Sequence, residues 1–445
     1  MPGEDLQRFN PEEFPKLGAW PNSTYFNALS FEAENTANYK KNFGIAFSQE
    51  FMLVIDDEFH FQKEKGKKLQ LLIEKNPAGF LKKWNAKCQK AIKKLKDYSD
   101  KNRHKPFEKY SNERLSREVE RFHERMRETL GFLWTYLPTA NAVEPYIVKK
   151  IPKINFQEIR PLRKVSAERL NEKLLKMRPG DEHALKRLAR AFGWYGLSLL
   201  RGKALTPADL MQLRKTATLP KKIKVSRNAL LKELQLFLWL KFERIDAYNY
   251  ALYCMRPLFT EALKRIGLHE KYWEVLLPKE IEYALKTGQG PEKLGERFTF
   301  KGLVKTPQGV RPLSIEEYHA LKERFAFKPS NQETFTGQIA CPGKAIGPVK
   351  VVHSLEDISK VNPGDILVAA ETLVQYEPWM HKAHGMIIEM GGLLTHSAIF
   401  AREFKIPTLV GVPQATKALH DWDLVEVDAR NGIVKRLNAN PSPTR

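Results

Sequence analysis

Residues 391–412 read GGLLTHSAIFAREFKIPTLVGV, and the reading of this stretch decides the fold of the C-terminal part of the chain. Gly391 and Gly392 permit backbone conformations that gather N–H groups into a concave, anion-accepting turn. Thr395 is a predicted N-cap, which places His396 in the first turn of a helix. The first amides of a helix lack intrahelical partners and carry partial positive charge, so they suit a phosphoryl group. The same field disfavours a protonated imidazole and leaves a neutral, nucleophilic nitrogen at His396. Arg402 lies six residues on and assists a phosphate only if the fold brings it round. The chemistry implied is nucleophilic catalysis through a phosphohistidine. A Thr-His pair alone is also the pattern of an ordinary cap beside an inert histidine, so the surrounding sequence has to decide.

Short β-rich runs surround the stretch: GPVKVVHS (347–354), DILVAA (365–370), GMIIEM (385–390), PTLVGV (407–412) and LVEVDA (424–429). Helices are predicted between them at about 376–384, 395–404 and 413–420, and Asn431-Gly432 signals a two-residue hairpin. The result is an α/β domain at 337–437, followed by a tail at 438–445 and preceded by a polar linker at 327–336. Residues 1–326 read instead as mainly helical, with apolar and charged residues alternating at helical spacing over 67–97, 112–136, 165–200, 227–265 and 314–326. Pro/Gly punctuation at 137–144, 178–181, 202–207, 288–291 and 306–312 marks the connections. The fold class is multidomain: a mostly α-helical N-terminal region plus a C-terminal α/β domain.

The chain has 445 residues, 42% hydrophobic and 28% charged, which is ample for buried cores. Residues 335–445 hold eleven Lys/Arg and eleven Asp/Glu, so the whole formal charge of +22 resides in residues 1–334. A basic N-terminal region favours anionic partners, whether nucleic acid, a phosphorylated substrate or an acidic protein surface. Cys88, Cys254 and Cys341 lie far apart with no C-x-x-C pair, which argues against a disulfide framework or zinc site and fits a cytoplasmic location. The N-terminus has no apolar signal region, and LFLWL (236–240) is too short to span a bilayer, so no membrane association is expected.

Residues 337–437 resemble the mobile phosphohistidine (swivelling) domain of the PEP-utilising enzyme family, which includes phosphoenolpyruvate synthase, pyruvate phosphate dikinase, enzyme I of the sugar phosphotransferase system and rifampicin phosphotransferase. The matching features are CPGKAIGPVKVV (341–352), GDILVAAET ending in Thr372, and MIIEMGGLLTHSAIFAREFKIPTLVGV (386–412). The resemblance implies that His396 carries the phosphoryl group, with Thr395 and Arg402 as catalytic neighbours. Gly391, Gly392 and Thr372 would bind phosphate. It also implies a domain that swings between a donor and an acceptor site. Thr395 stands where the family usually has Ser, and Leu394 where dikinases have a regulatory threonine. Lys405 replaces a Gly that often precedes Ile-Pro, and LVQYEPW (373–379) departs from a shorter family pattern.

The family's full enzymes carry an ATP-grasp domain, a PEP/pyruvate barrel, or both. Residues 1–330 show neither a glycine-rich phosphate loop nor the strand–helix alternation of a barrel. The expectation is a phosphotransferase component that is incomplete alone. ATP and Mg²⁺ would enter through a separate ATP-grasp-type partner, with no cofactor bound by this chain, and direct use of PEP through a separate barrel protein stays open. The stretch 239–268 with LPKEIEYAL (277–285) is similar to the helical acceptor region of rifampicin phosphotransferase, and AFGWYGLSLL (191–200) is so more faintly. This nominates Arg244, Tyr248 and Arg256 for a substrate-facing surface holding an unidentified small-molecule acceptor, against simple helix packing. Glu377, His381 and His384 have metal-capable spacing but read better as an exposed helix, so no metal site is expected. The lysine-rich segment 82–105 reads as a solvated face or a dock for an acidic partner; nucleic acid is open but not favoured. The rival function is a non-catalytic basic protein binding RNA or protein, with a degenerate swivelling domain.

Overall fold

Apolar periodicity, and the places where proline and glycine interrupt it, set the architecture. The computed structural model describes residues 5–19, 22–152, 154, 159, 161–178, 180–198, 201–217, 224–326, 333–353, 357–372, 376–393 and 395–438. Contacts divide the chain into a first unit of residues 1–16, 20–139 and 159–324, and a second of 17–19, 140–158 and 325–445. The first is mainly helical and the second is α/β.

The 37-residue helix Ala229–Arg265 is the spine of the first unit. Asn228 caps it, its side chain accepting the N–H groups of Leu230 and Leu231 at 3.0 and 3.2 Å. Residues Leu234 to Leu263 supply a broad buried face against helices Pro77–Asn102 and Asn112–Leu130. The periodic run 67–97 is two helices, Lys63–Glu74 and Pro77–Asn102, because proline cannot continue a helix but is tolerated in its first turn. Trp84 of the lysine-rich segment is a core residue. Its Nε1–H donates to Thr135 Oγ1 at 2.9 Å, and its ring meets Phe132 and Phe237 edge-on. Lys82, Lys87, Lys90 and Lys94 lie on the opposite, exposed face.

Two readings change. The 137–144 connection is helical, within Tyr136–Lys150. Pro138 falls in the first turn, where no N–H is needed, and Pro145 gives up one internal hydrogen bond without ending the helix. The mainly helical reading of 1–326 also missed an antiparallel sheet in which Met52–Ile55 pairs with Glu58–Phe61 and with Gly302–Thr306, itself paired with Gly309–Pro312. Asp56 and Asp57 turn the first hairpin with φ of 48° and 68°, a conformation aspartate tolerates better than most residues.

The second unit is built on an eight-stranded sheet in the order Thr334–Thr336, Ile433–Asn438, Leu424–Asp428, Lys344–Val352, Ile366–Ala369, Gly385–Ile388, Thr408–Val410, Gln338–Cys341. The pairs from Lys344–Val352 through Thr408–Val410 are parallel, and antiparallel strands flank them. Thr334–Thr336, inside the stretch read as a linker, is one of the two edge strands. Successive residues of the parallel strands feed two cores. Leu367, Ala369, Met386, Ile388 and Val410 pack with Ala398, Phe400 and Ala401, whereas Ile366, Val368, Ile387 and Leu409 pack with Ala415 and Leu419. Burial on both faces explains why these strands read as continuous apolar runs. The Asn431-Gly432 turn is longer than two residues. Asp428 pairs with Ile433 across a four-residue loop, and its carboxylate accepts the N–H groups of Arg430 and Asn431. The helix expected over 376–384 is only Glu377–Met380. Among the described residues no helix is long and apolar enough to cross a membrane.

Two stability predictions follow from this framework. Lys405 ends helix His396–Phe404 in the left-handed region, φ 56° and ψ 37°, where a side chain is strained. Lys405→Gly should stabilise the second unit by about 1 kcal/mol, read as a higher urea midpoint at unchanged slope. In the first unit His123 is fully buried, with Nδ1 2.6 Å from Glu282 Oε1 and Nε2 2.8 Å from the Tyr25 hydroxyl. Burial lowers its pKa below the ordinary 6.5, so the folded state holds it neutral. Below pH 6.5 the unfolded chain gains a proton that the folded chain refuses, and the stability supplied by neutral His123 is lost as pH falls. The stability difference between wild type and His123→Gln, measured by denaturation at a series of pH values, should therefore shrink from pH 8 to pH 5.

Candidate functional site

Three parallel strands end side by side: Ile366–Ala369 leads to Thr372, Gly385–Ile388 to Gly391, and Thr408–Val410 to Gly411. Ligands of open parallel sheets bind at such carboxyl ends. The backbone there is knitted together by Met390 N–H to Ala370 O at 2.9 Å and Val412 N–H to Ile388 O at 3.1 Å. The buried Glu389 carboxylate accepts the backbone N–H of Thr416 at 3.2 Å and its hydroxyl as well. Gly391 adopts φ 101°, and a Cβ at that position would collide with the Thr395 methyl. Only glycine allows the chain to leave the strand and approach Thr395 so closely.

Thr395 is the N-cap, with φ −77° and ψ 162°. Its hydroxyl donates to Gly392 O at 2.8 Å and accepts the Ala398 N–H at 3.4 Å, and Ser397 Oγ lies 3.2 Å away. The backbone N–H of Thr395 also donates to Gly392 O, at 3.1 Å. One threonine thus fixes both the glycine turn and the helix start. His396 is the first residue of the helix; its imidazole lies outside the described side chains, and Leu394 lies outside the described residues.

Arg402 reaches the glycine turn. Its Nη2 donates to the Leu393 carbonyl in the glycine turn, and Nη1 to Ala340 O at 3.5 Å. Burial lowers its pKa from the usual arginine value, and the nearby Glu144 carboxylate opposes that shift. Thr372 is buried just beyond its strand. Residues 373–375 of the divergent LVQYEPW stretch lie outside the described residues.

The nominated residues of the long helix are not brought together at a surface. Arg244 is buried, donates to Phe132 O at 2.7 Å and sits 4.7 Å from the Tyr136 ring centroid. Tyr248 is also buried, its hydroxyl donating to Thr129 O at 3.0 Å. Arg256 is exposed and pairs with Glu270. His381 packs edge-on against Phe400 and Phe404 beyond the short helix, and the Glu377 side chain lies outside the described ones. Among the described residues no group of three or more His, Cys, Asp or Glu is arranged to hold a metal ion.

One participant was missed. A Cβ built on Gly392 would lie 3.5 Å from Oε2 of Glu144, 3.6 Å from Oε1 of Gln338 and 3.8 Å from Oδ1 of Asn141. Gln338 Nε2 donates to Glu144 Oε1 at 3.4 Å. No local motif announces Glu144, because it reaches the turn from a distant helix.

The Thr395 geometry predicts a graded response. Thr395→Ala should destabilise the second unit by about 1 kcal/mol, and Thr395→Ser should recover most of that, both read from denaturant midpoints.

Residues 361–432 match the family model described as "PEP-utilising enzyme, mobile domain". The chain is 32% identical over 196 residues to the phosphoenolpyruvate synthase of Pseudomonas aeruginosa, covering 43% of this chain and 22% of that protein. It is 38% identical over 157 residues to a probable phosphoenolpyruvate synthase of Archaeoglobus fulgidus, covering 35% and 19%. It is 38% identical over 173 residues to the uncharacterized phosphotransferase YvkC of Bacillus subtilis, covering 37% and 21%. The chain therefore spans about a fifth of the length of these relatives. Part of the chain is thus similar to the mobile domain of the PEP-utilising enzymes and to relatives named as phosphoenolpyruvate synthases and a phosphotransferase.

Proposed function

We propose that this chain is a phosphoryl carrier: His396 takes a phosphoryl group from a donor site on a separate ATP-grasp-type protein and passes it to an acceptor bound by the helical unit. The observation that carries the reading is the glycine turn at the three strand ends, latched by Thr395 and Arg402, running straight into a helix headed by His396. A turn of this kind offers backbone N–H groups and the positive end of a helix to an anion.

In the first step an imidazole nitrogen of His396 forms a bond to phosphorus as the donor's P–O bond breaks, the electron pair leaving on the donor oxygen. In the second, an acceptor oxygen attacks phosphorus, the N–P bond breaks, and the imidazole recovers its electron pair while the acceptor loses its proton. Such transfers depend on positioning and charge stabilisation, which suits a basic acceptor region. The first unit's described strands form antiparallel hairpins, which favours a donor site elsewhere. ATP with Mg²⁺ is the donor proposed, with PEP as the alternative the experiment separates.

The test incubates the full chain with an ATP-grasp protein encoded beside it and phosphorus-labelled ATP or PEP. Acid-labile, base-stable label should appear with ATP and vanish in His396→Ala. Label that survives in His396→Ala would overturn the proposal, and label from PEP alone would overturn the donor assignment.

A further inference from the structure

Within the second unit, a buried carboxylate lies close to the glycine turn. Glu144 is 6% exposed, and its Oε2 comes within 3.5 Å of the position a Gly392 side chain would begin to occupy. A carboxylate this buried needs compensation. Gln338 donates to its Oε1 at 3.4 Å, and among charged groups Glu144 acts most strongly on Arg402, the guanidinium that clamps the turn at Leu393. A phosphoryl group on His396 would call on that guanidinium and on the N–H groups of the glycine turn.

We propose that Glu144 is a built-in stand-in for the phosphoryl group, holding the glycine turn and Arg402 in place while His396 is unmodified and yielding when a phosphoryl group arrives. This rests on the reading of His396 as the carrier and names the residue that regulates that site. A phosphoryl group brings close to two negative charges at neutral pH. Two anions competing for one guanidinium in a largely buried place repel strongly. Phosphorylation therefore weakens the hold of residues 140–150 on the turn, and loss of the phosphoryl group restores it. Glu144 is a positioning residue in this scheme, opposing modification of His396 without touching the reacting atoms. Glutamate serves where glutamine would not, because the stand-in has to be charged to hold Arg402.

Phosphoramidate tests this without the partner protein. An imidazole nitrogen forms the N–P bond, the P–N bond of phosphoramidate breaks, and ammonia leaves with the displaced proton. The rate of phosphorylation at His396, followed by mass spectrometry of its peptide in the full chain, should rise on the order of ten-fold in Glu144→Gln. Glu144→Asp, which keeps the charge, should stay near the wild-type rate; a purely structural role would speed or slow both variants alike. In the wild type, hydrogen exchange across residues 140–150 should quicken once His396 is phosphorylated. Equal labelling of His396 in wild type and Glu144→Gln, or unchanged exchange after labelling, overturns this inference alone. No label on His396 in either protein overturns it together with the reading on which it rests.

Discussion

Everything at the site depends on one hydroxyl. Thr395 Oγ1 donates to the Gly392 carbonyl and accepts the Ala398 N–H, so the end of one strand and the start of one helix are tied through a single atom. The tie requires Gly391, whose φ of 101° and missing side chain let the turn fold against the threonine methyl. It also requires a stiff base, and the parallel strands supply it by packing side chains into a core on each face. Arg402 then adds a second restraint from farther along the same helix, at the Leu393 carbonyl. The backbone of His396 is thereby set on rigid elements.

What was legible in the sequence follows the range of the forces involved. The strands of the second unit were readable because burial on both faces leaves unbroken apolar runs such as ILVA and MII. The Thr395 cap was readable because caps are decided by neighbours within a few residues. The sheet joining Met52–Ile55 to Gly302–Thr306 was not, since its partners are far apart and each strand is only a few residues long. Glu144 was invisible for the same reason, and the Pro138 and Pro145 punctuation around it suggested a connection where a helix runs. Arg244 and Tyr248 misled in another way. A polar residue on an amphipathic helix looks the same in sequence whether it meets solvent or, as here, a backbone carbonyl inside the core.

The two units also differ in what their charges accomplish. The lysines of the Pro77–Asn102 helix stand on a solvated face opposite an apolar one that includes Trp84 and Cys88, and that burial pushes the Cys88 thiol up to about 12, far from a reactive thiolate. The second unit has little net charge because its acidic and basic groups balance, and several are placed individually: Glu389 against Thr416, Asp428 in its turn, Glu144 and Arg402 at the glycine turn.

The central claim is that His396 is the residue that bears the phosphoryl group. Phosphorylating the full chain under neutral conditions and locating the modification by fragmentation that spares N–P bonds tests it most directly. His396 should be the dominant modified residue among the eleven histidines. A phosphoryl group found reproducibly on other histidines, with His396 unmodified, would contradict it.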